Sequence, residues 1–271
     1  FSQLQKTVDS TVQEFEHAYS RFRADSLISQ LNHNHFLDNP PTELVDLLAY
    51  SQRLHLSSDG LFNITIGSKL EELGYGQDKV AGAKIDTNAQ ESISLQRGKI
   101  ILSPHVRIDL GGIGKGWLID KLGNLFKEQK ITKFIINGGG DMLINSSEEI
   151  EISLEHPTLA QHSIGTILVK KGAVSSSSPL KRTWKDKNSR AHHHIIDPAS
   201  GKSTSTLASV YVIASNATLA DTLATILLLA DKDRRPQLAK LHDVEFLGIH
   251  YDGQLEESAR FRFTPITLQD S

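Results

Sequence analysis

Val8, Val12, Phe15, Tyr19 and Phe22 recur at helical spacing, so the stretch from Thr7 to Phe22 predicts an amphipathic helix. A turn through Phe22-Arg-Ala-Asp-Ser26 leads to a second, short helix over Leu27 to Asn32. Pro40-Pro41 and Thr42-Glu-Leu-Val open a third that runs to about Leu54. Leu61 to Gly67 is a short apolar segment after Asp59-Gly60, and Gly74-Tyr-Gly76 closes the segment after it. Residues 77 to 100 read as polar loop with short strands. Beyond residue 130 the pattern turns to strands: Lys133 to Asn137, Met142 to Asn145, Glu149 to Leu154, Ile164 to Val169, His192 to Ile196 and Ser209 to Ala214. Asn216 to Ala230 is strongly helical, and Val244 to His250 with Arg260 to Phe263 end the chain as strands. Helices gathered early and late around such strands predict an α+β fold with mixed or antiparallel sheets.

Between the two halves of this pattern lies Asp109-Leu-Gly-Gly-Ile-Gly-Lys-Gly-Trp-Leu-Ile-Asp120, followed by a helical face of Trp117, Leu118, Leu122, Leu125 and Phe126. Gly111, Gly112, Gly114 and Gly116 carry no Cβ, so backbone groups there can approach a ligand. A helix starting beside them aims free N–H groups at an anion, and Lys115 adds a charge. The stretch therefore reads either as an anion cradle or as a tight strand-to-helix turn. Its spacing fits neither the P-loop nor the Gly-x-Gly-x-x-Gly dinucleotide fingerprint.

Composition narrows the classes. A chain of 271 residues, 38% apolar and 23% charged, can bury a full core. Its net charge of -3 gives no basic footprint for nucleic acid, and no apolar run approaches the roughly 18 residues of a membrane span. Without cysteine there is no disulfide or thiolate metal site. The only methionine is Met142, so residue 1 is not the translational start, and a signal peptide or lipid anchor upstream is one expectation.

Four further constellations could carry chemistry. Asp221 and Thr225 are four apart on a predicted helix, so their oxygens share one face. They suit an oxygen-preferring cation such as Mg²⁺, or else Asp221 serves the helix dipole and Thr225 bonds back to its own turn. In His192-His-His-Ile-Ile-Asp-Pro198, strand alternation puts His192 and His194 on one face, as zinc ligands, as a general base, or as a plain polar strand end. Asn137-Gly-Gly-Gly-Asp141 is a backbone-exposing loop or a bulge. Ser175 to Ser178 is a run of hydroxyl donors or a flexible loop, and no Gly-x-Ser-x-Gly elbow supports a hydrolase.

In this order the motifs resemble the ApbE family of FAD:protein FMN transferases. The matching pieces are Phe22 to Ser26 with Leu31-Asn32, Gly60 to Gly67 with Leu73 to Gly76, Asp109 to Asp120, Asn137 to Asp141, Ser177, His194 to Pro198 with Gly201, and Ala220 to Thr225. The resemblance implies one domain over 1–271, built of two related, intimately joined halves with FAD held between them. Phe22 would pack on the flavin or adenine, Leu61, Phe62 and Asn63 would line the flavin pocket, and Asp109 and Lys115 would hold ribose, adenine or pyrophosphate. Ser177 would be a further cofactor contact. Mg²⁺ would take the Gly112 carbonyl, Asp221 and Thr225. The implied reaction moves FMN from FAD to a threonine hydroxyl of an acceptor flavoprotein and releases AMP, with His194, or Asp221, handling the hydroxyl proton. The alternatives are an Mg²⁺-dependent FAD pyrophosphatase and a non-catalytic FAD-binding protein. The family setting is extracytoplasmic, periplasmic and often lipid-anchored. Asn63-Ile64 stands where the family usually has Asp-Pro, Ser177-Ser178 where it has Ser-Gly, and its opening Met-Gly-Thr strand is missing.

Overall fold

A computed structural model describes residues 2–75, 89–159, 161–185, 189, 191–203 and 205–266. Gly76 and the part of the expected loop up to residue 88 lie outside them. The chain opens with α1 (Ser2–Tyr19), α2 (Leu27–Asn34), β1 (Phe36–Asp38), α3 (Thr42–Ser57), α4 (Gly67–Glu72) and α5 (Ala89–Ser92). Next come β2 (Ile93–Gln96), β3 (Lys99–Leu102), α6 (Gly114–Glu128), β4 (Phe134–Asn137), β5 (Met142–Glu155) and β6 (Ser163–Ser177). Short strands follow: β7 (Thr183–Lys185), β8 (Ala191–His193), β9 (Ile196–Asp197) and β10 (Lys202–Ser203). The chain ends with β11 (Leu207–Ala214), α7 (Ala217–Leu229), α8 (Arg235–Leu241), β12 (Glu245–His250), β13 (Leu255–Glu257) and β14 (Phe263–Pro265). The fold is α+β with antiparallel sheets, as the pattern predicts. No helix among the described residues is long and apolar enough to cross a membrane.

Internal contacts divide the chain into two compact units. Unit one comprises Phe1–Gly114 and Arg182–Thr204. Its helices α1 to α3 accompany a small sheet of order β1-β3-β2 and the hairpins β7-β8 and β9-β10. Ser26 caps α2, its side chain accepting from Ser29 N at 3.0 Å. From that helix the buried Asn32 reaches the chain before the glycine turn. Its amide donates to Ile108 O at 2.9 Å and its Oδ1 accepts from Ile108 N at 2.7 Å.

Unit two comprises Lys115–Lys181 and Ser205–Ser271. Its sheet runs β13-β12-β11-β6-β5-β4, and β14 also pairs with β6. One face buries Ile144, Ile152, Leu154, Ile167, Val169, Val174, Tyr211, Leu247 and Ile249. α7 packs on β6 and β11 and is buried nearly all round, as its mostly small and apolar composition requires.

Several element boundaries differ from expectation. Met142–Glu155 is one strand whose register to β6 shifts between Asn145 and Ile150, where the polar residues 146–149 form an irregularity opposite Lys170. Ser175 to Ser177 is not a loop but the end of β6, held by ladder bonds to β11 with Ser175 opposite Val212 and Ser177 opposite Val210. The predicted strand His192 to Ile196 breaks at His194 and Ile195, so the shared face for His192 and His194 does not form. α1 ends at Tyr19, which leaves Phe22 in the following turn, and the last strand begins at Phe263 rather than Arg260.

Candidate active site

The glycine-rich stretch follows a non-strand segment bridged at Arg107 to Ile66 and turns into α6, which starts at Gly114. In unit two α6 and α7 cap each other. From α7, Asp221 Oδ2 accepts from Gly116 N in the first turn of α6 at 3.0 Å. From α6, the Asp120 carboxylate accepts from Ala217 N and Thr218 N, both at 2.8 Å, and from the Thr218 hydroxyl at 2.6 Å. Each helix thus supplies the negative charge that the other's N-terminus favours. This crossing is possible only because residue 116 is glycine. A Cβ there would stand 2.5 Å from Ala217 O and 2.7 Å from Thr218 Cα.

The crossing fixes a polar cluster. Asp221, 5% exposed, keeps its Oδ1 3.7 Å from Lys115 Nζ. Lys115 also forms an ion pair with Asp141, which is buried at the exit of the β4–β5 loop. One turn further along α7, Thr225 Oγ1 lies 3.4 Å from Ser177 Oγ at the end of β6. Four of the predicted residues, Lys115, Ser177, Asp221 and Thr225, therefore belong to one unit and pair as acid with amine and hydroxyl with hydroxyl. Carboxylate and hydroxyl oxygens on successive turns of one helix are the donor chemistry a hard cation prefers, so the residues fit Mg²⁺. Among the described residues no group of three or more His, Cys, Asp or Glu that could hold a metal ion is found.

Unit one holds the remaining residues. Asp109 Oδ1 accepts from Gly111 N at 2.7 Å, and its other oxygen pairs with Arg21. Arg21 donates to Tyr75 O at 2.9 Å and lies 3.7 Å from Glu71, which also pairs with Arg107 at 3.1 Å. This buried network fixes the start of the glycine turn. Beside it Phe22 is 61% exposed, with the Arg21 guanidinium carbon 4.4 Å from its ring centre and Tyr75 edge-on at 5.9 Å. Phe62 and Asn63 are buried and Leu61 is half-buried. Phe62 O meets His55 Nδ1 at 2.9 Å, and Asn63 Oδ1 accepts from Thr65 N and Oγ1 at 2.8 and 2.7 Å. Gly112 would place a Cβ 3.5 Å from the Phe62 ring, and its assignment as a metal ligand rests on the family resemblance. His194 is neutral well below pH 7. Burial, foremost, and the neighbouring Arg182 lower its pKa to about 4, against the opposing pull of Asp109.

A model of the ApbE family matches residues 2–247. The chain belongs to the ApbE family. An FAD:protein FMN transferase of Vibrio cholerae is 24% identical over 281 residues, spanning 97% of this chain and 84% of the relative. Another from Klebsiella pneumoniae is 27% identical over 282 residues, spanning 97% and 88%. Among solved structures, the ApbE protein of Thermotoga maritima superposes with a TM-score of 0.85 at 21% identity, covering 95% of this chain and 89% of that one. The flavin transferase ApbE of Vibrio cholerae gives 0.80 at 23%, covering 96% and 89%. These superpositions place the α+β fold of this chain within the ApbE fold.

Arg21, Glu71, Arg107 and Asp120 carry none of the sequence-level roles, and Asp141 figures only as the end of a loop motif. Arg21 and Asp109 are 88 residues apart, and no periodicity links them. Asp120 does leave a trace: a carboxylate one turn beyond the last glycine, on the side of the helix that Asp221 must meet.

Proposed function

We propose that this chain transfers FMN from FAD to a threonine hydroxyl of an acceptor protein and releases AMP. The family membership and the FAD:protein FMN transferase relatives support the reaction class. The observation that carries it to particular residues is the crossing of α6 and α7, which brings Lys115, Asp221, Thr225 and Ser177 together in one unit.

Asp221 and Thr225 would hold Mg²⁺, with water and phosphate oxygens completing its shell. Bound there, the ion would supply charge neutralisation and Lewis-acid polarisation at the diphosphate. Lys115 is half-exposed beside the buried Asp221, so its ammonium could pair with the same phosphates. The threonine oxygen forms a bond to the FMN phosphorus, the bond to the AMP oxygen breaks, and the threonine proton goes to a base. His194 is our base, since it is already unprotonated at neutral pH. A pKa of about 4 makes it weak as a resting base. Phe22 offers an open ring face for stacking. Extracytoplasmic placement is part of this proposal and is carried by the resemblance alone.

The test is incubation with FAD, Mg²⁺ and the apo form of an acceptor flavoprotein, followed by denaturing electrophoresis. Flavin fluorescence on the acceptor, abolished by EDTA, is expected. Free FMN and AMP with a dark acceptor would instead mark a pyrophosphatase, and intact FAD a binding protein.

A further inference from the structure

Asp141 has no role in the chemistry above, yet its placement is elaborate. The loop from β4 to β5 is closed by Gly138 N donating to Asp141 O at 2.8 Å and Gly140 N donating to Asn137 Oδ1 at 2.9 Å. Gly139 and Gly140 hold φ at +79° and +104°, a region other residues resist. The loop ends by burying the Asp141 carboxylate, 2% exposed, against Lys115. The ladder pair Met142–Val174 places Asp141 beside Ser175, whose buried hydroxyl finds no hydrogen-bond partner among the described residues.

Stability does not account for this pair. Burying a carboxylate costs several kcal/mol, and a cation that remains in contact with water returns little of it. The Lys115 side chain is 41% exposed. The same ammonium lies 3.7 Å from Asp221 Oδ1, so two buried carboxylates hold one half-exposed amine at the start of α6. An amine gripped in this way loses little rotamer freedom when an anion arrives.

We propose that Asp141 is a positioning residue for the transfer reaction: it fixes the Lys115 ammonium beside Asp221, ready for the diphosphate of FAD. This rests on the function proposed above. It assigns Asp141 no contact with substrate; its effect passes through Lys115.

A double-mutant cycle tests it with wild type, Asp141→Asn, Lys115→Met and the double variant, each measured for FAD affinity by fluorescence and for kcat/KM of flavin transfer. Asp141→Asn is expected to cost about tenfold in both quantities in the wild-type background and less than about twofold when Lys115 is already methionine. Melting temperatures of all four proteins report any structural damage separately. Asp141→Glu, which keeps the charge one methylene further out, is expected to recover part of the loss, and it serves in the cycle should Asp141→Asn not fold. An equal loss in both backgrounds overturns the proposal, since Asp141 would then act independently of Lys115. A wild type that binds FAD and transfers nothing would sink the proposed function, while the affinity cycle would still decide the role of Asp141.

Discussion

At the scale of single residues, His194 gives a signed prediction. Its folded pKa of about 4 lies below the ordinary 6.5, so the unfolded chain binds the proton more tightly. The stability this contributes is complete above about pH 6.5 and falls as pH drops towards 4, by roughly 3 kcal/mol at most. Chemical denaturation from pH 7 to 4 is expected to show a steeper loss for wild type than for His194→Gln; equal slopes would remove the buried, neutral histidine as the cause. Asp221→Asn keeps an oxygen for Gly116 N, so its melting temperature should stay close to wild type. Transfer should fall by about a hundredfold or more, because the charge that would hold the cation is gone. Helical spacing puts Asp221 and Thr225 on one face, but spacing left their role open, and the metal assignment came only with the family resemblance. Arg21 was not legible, since its partners Asp109 and Glu71 meet it only through the tertiary fold.

At the scale of elements, the α6–α7 crossing is the unit of construction. Asp120→Ala removes three hydrogen bonds to the first turn of α7 and is expected to destabilise by about 1–3 kcal/mol. Amide exchange should quicken first at Ala217 and Thr218; unchanged protection there would contradict the capping role. Gly116→Ala should be worse despite alanine's better helix propensity, since its Cβ has no room against Ala217. The sequence announces α7 almost to the residue, through Leu219, Leu223, Ile226 and Leu227 at helical spacing; the structure adds the Asn216 cap, whose side chain accepts from Leu219 N. The sequence hides the second half of β6. Four successive serines, Ser175 to Ser178, read as hydroxyl donors or a loop, and only the ladder to β11 and the covering helix make a strand of the first three.

At the scale of the whole molecule, the ordered motifs foretold the α+β class and the family, because each motif marks a tight turn or helix start that the fold reuses. Two halves were implied by the resemblance, but the boundaries of the two contact units were not legible in the residues, since unit one is closed by the distant segment Arg182–Thr204. FAD with Mg²⁺ at about a hundred times the dissociation constant should stabilise the protein by about 2.7 kcal/mol, read as a rise in melting temperature. Asp221→Asn should lose the part of that rise that depends on Mg²⁺. The central claim is that one P–O bond of FAD is exchanged for a bond to an acceptor hydroxyl. Its most direct test is stoichiometry: AMP released and flavin fixed on the acceptor, both counted in one reaction by chromatography and intact mass. The account predicts one AMP for each flavin bound and no free FMN. AMP matched by free FMN, with the acceptor's mass unchanged, would contradict it.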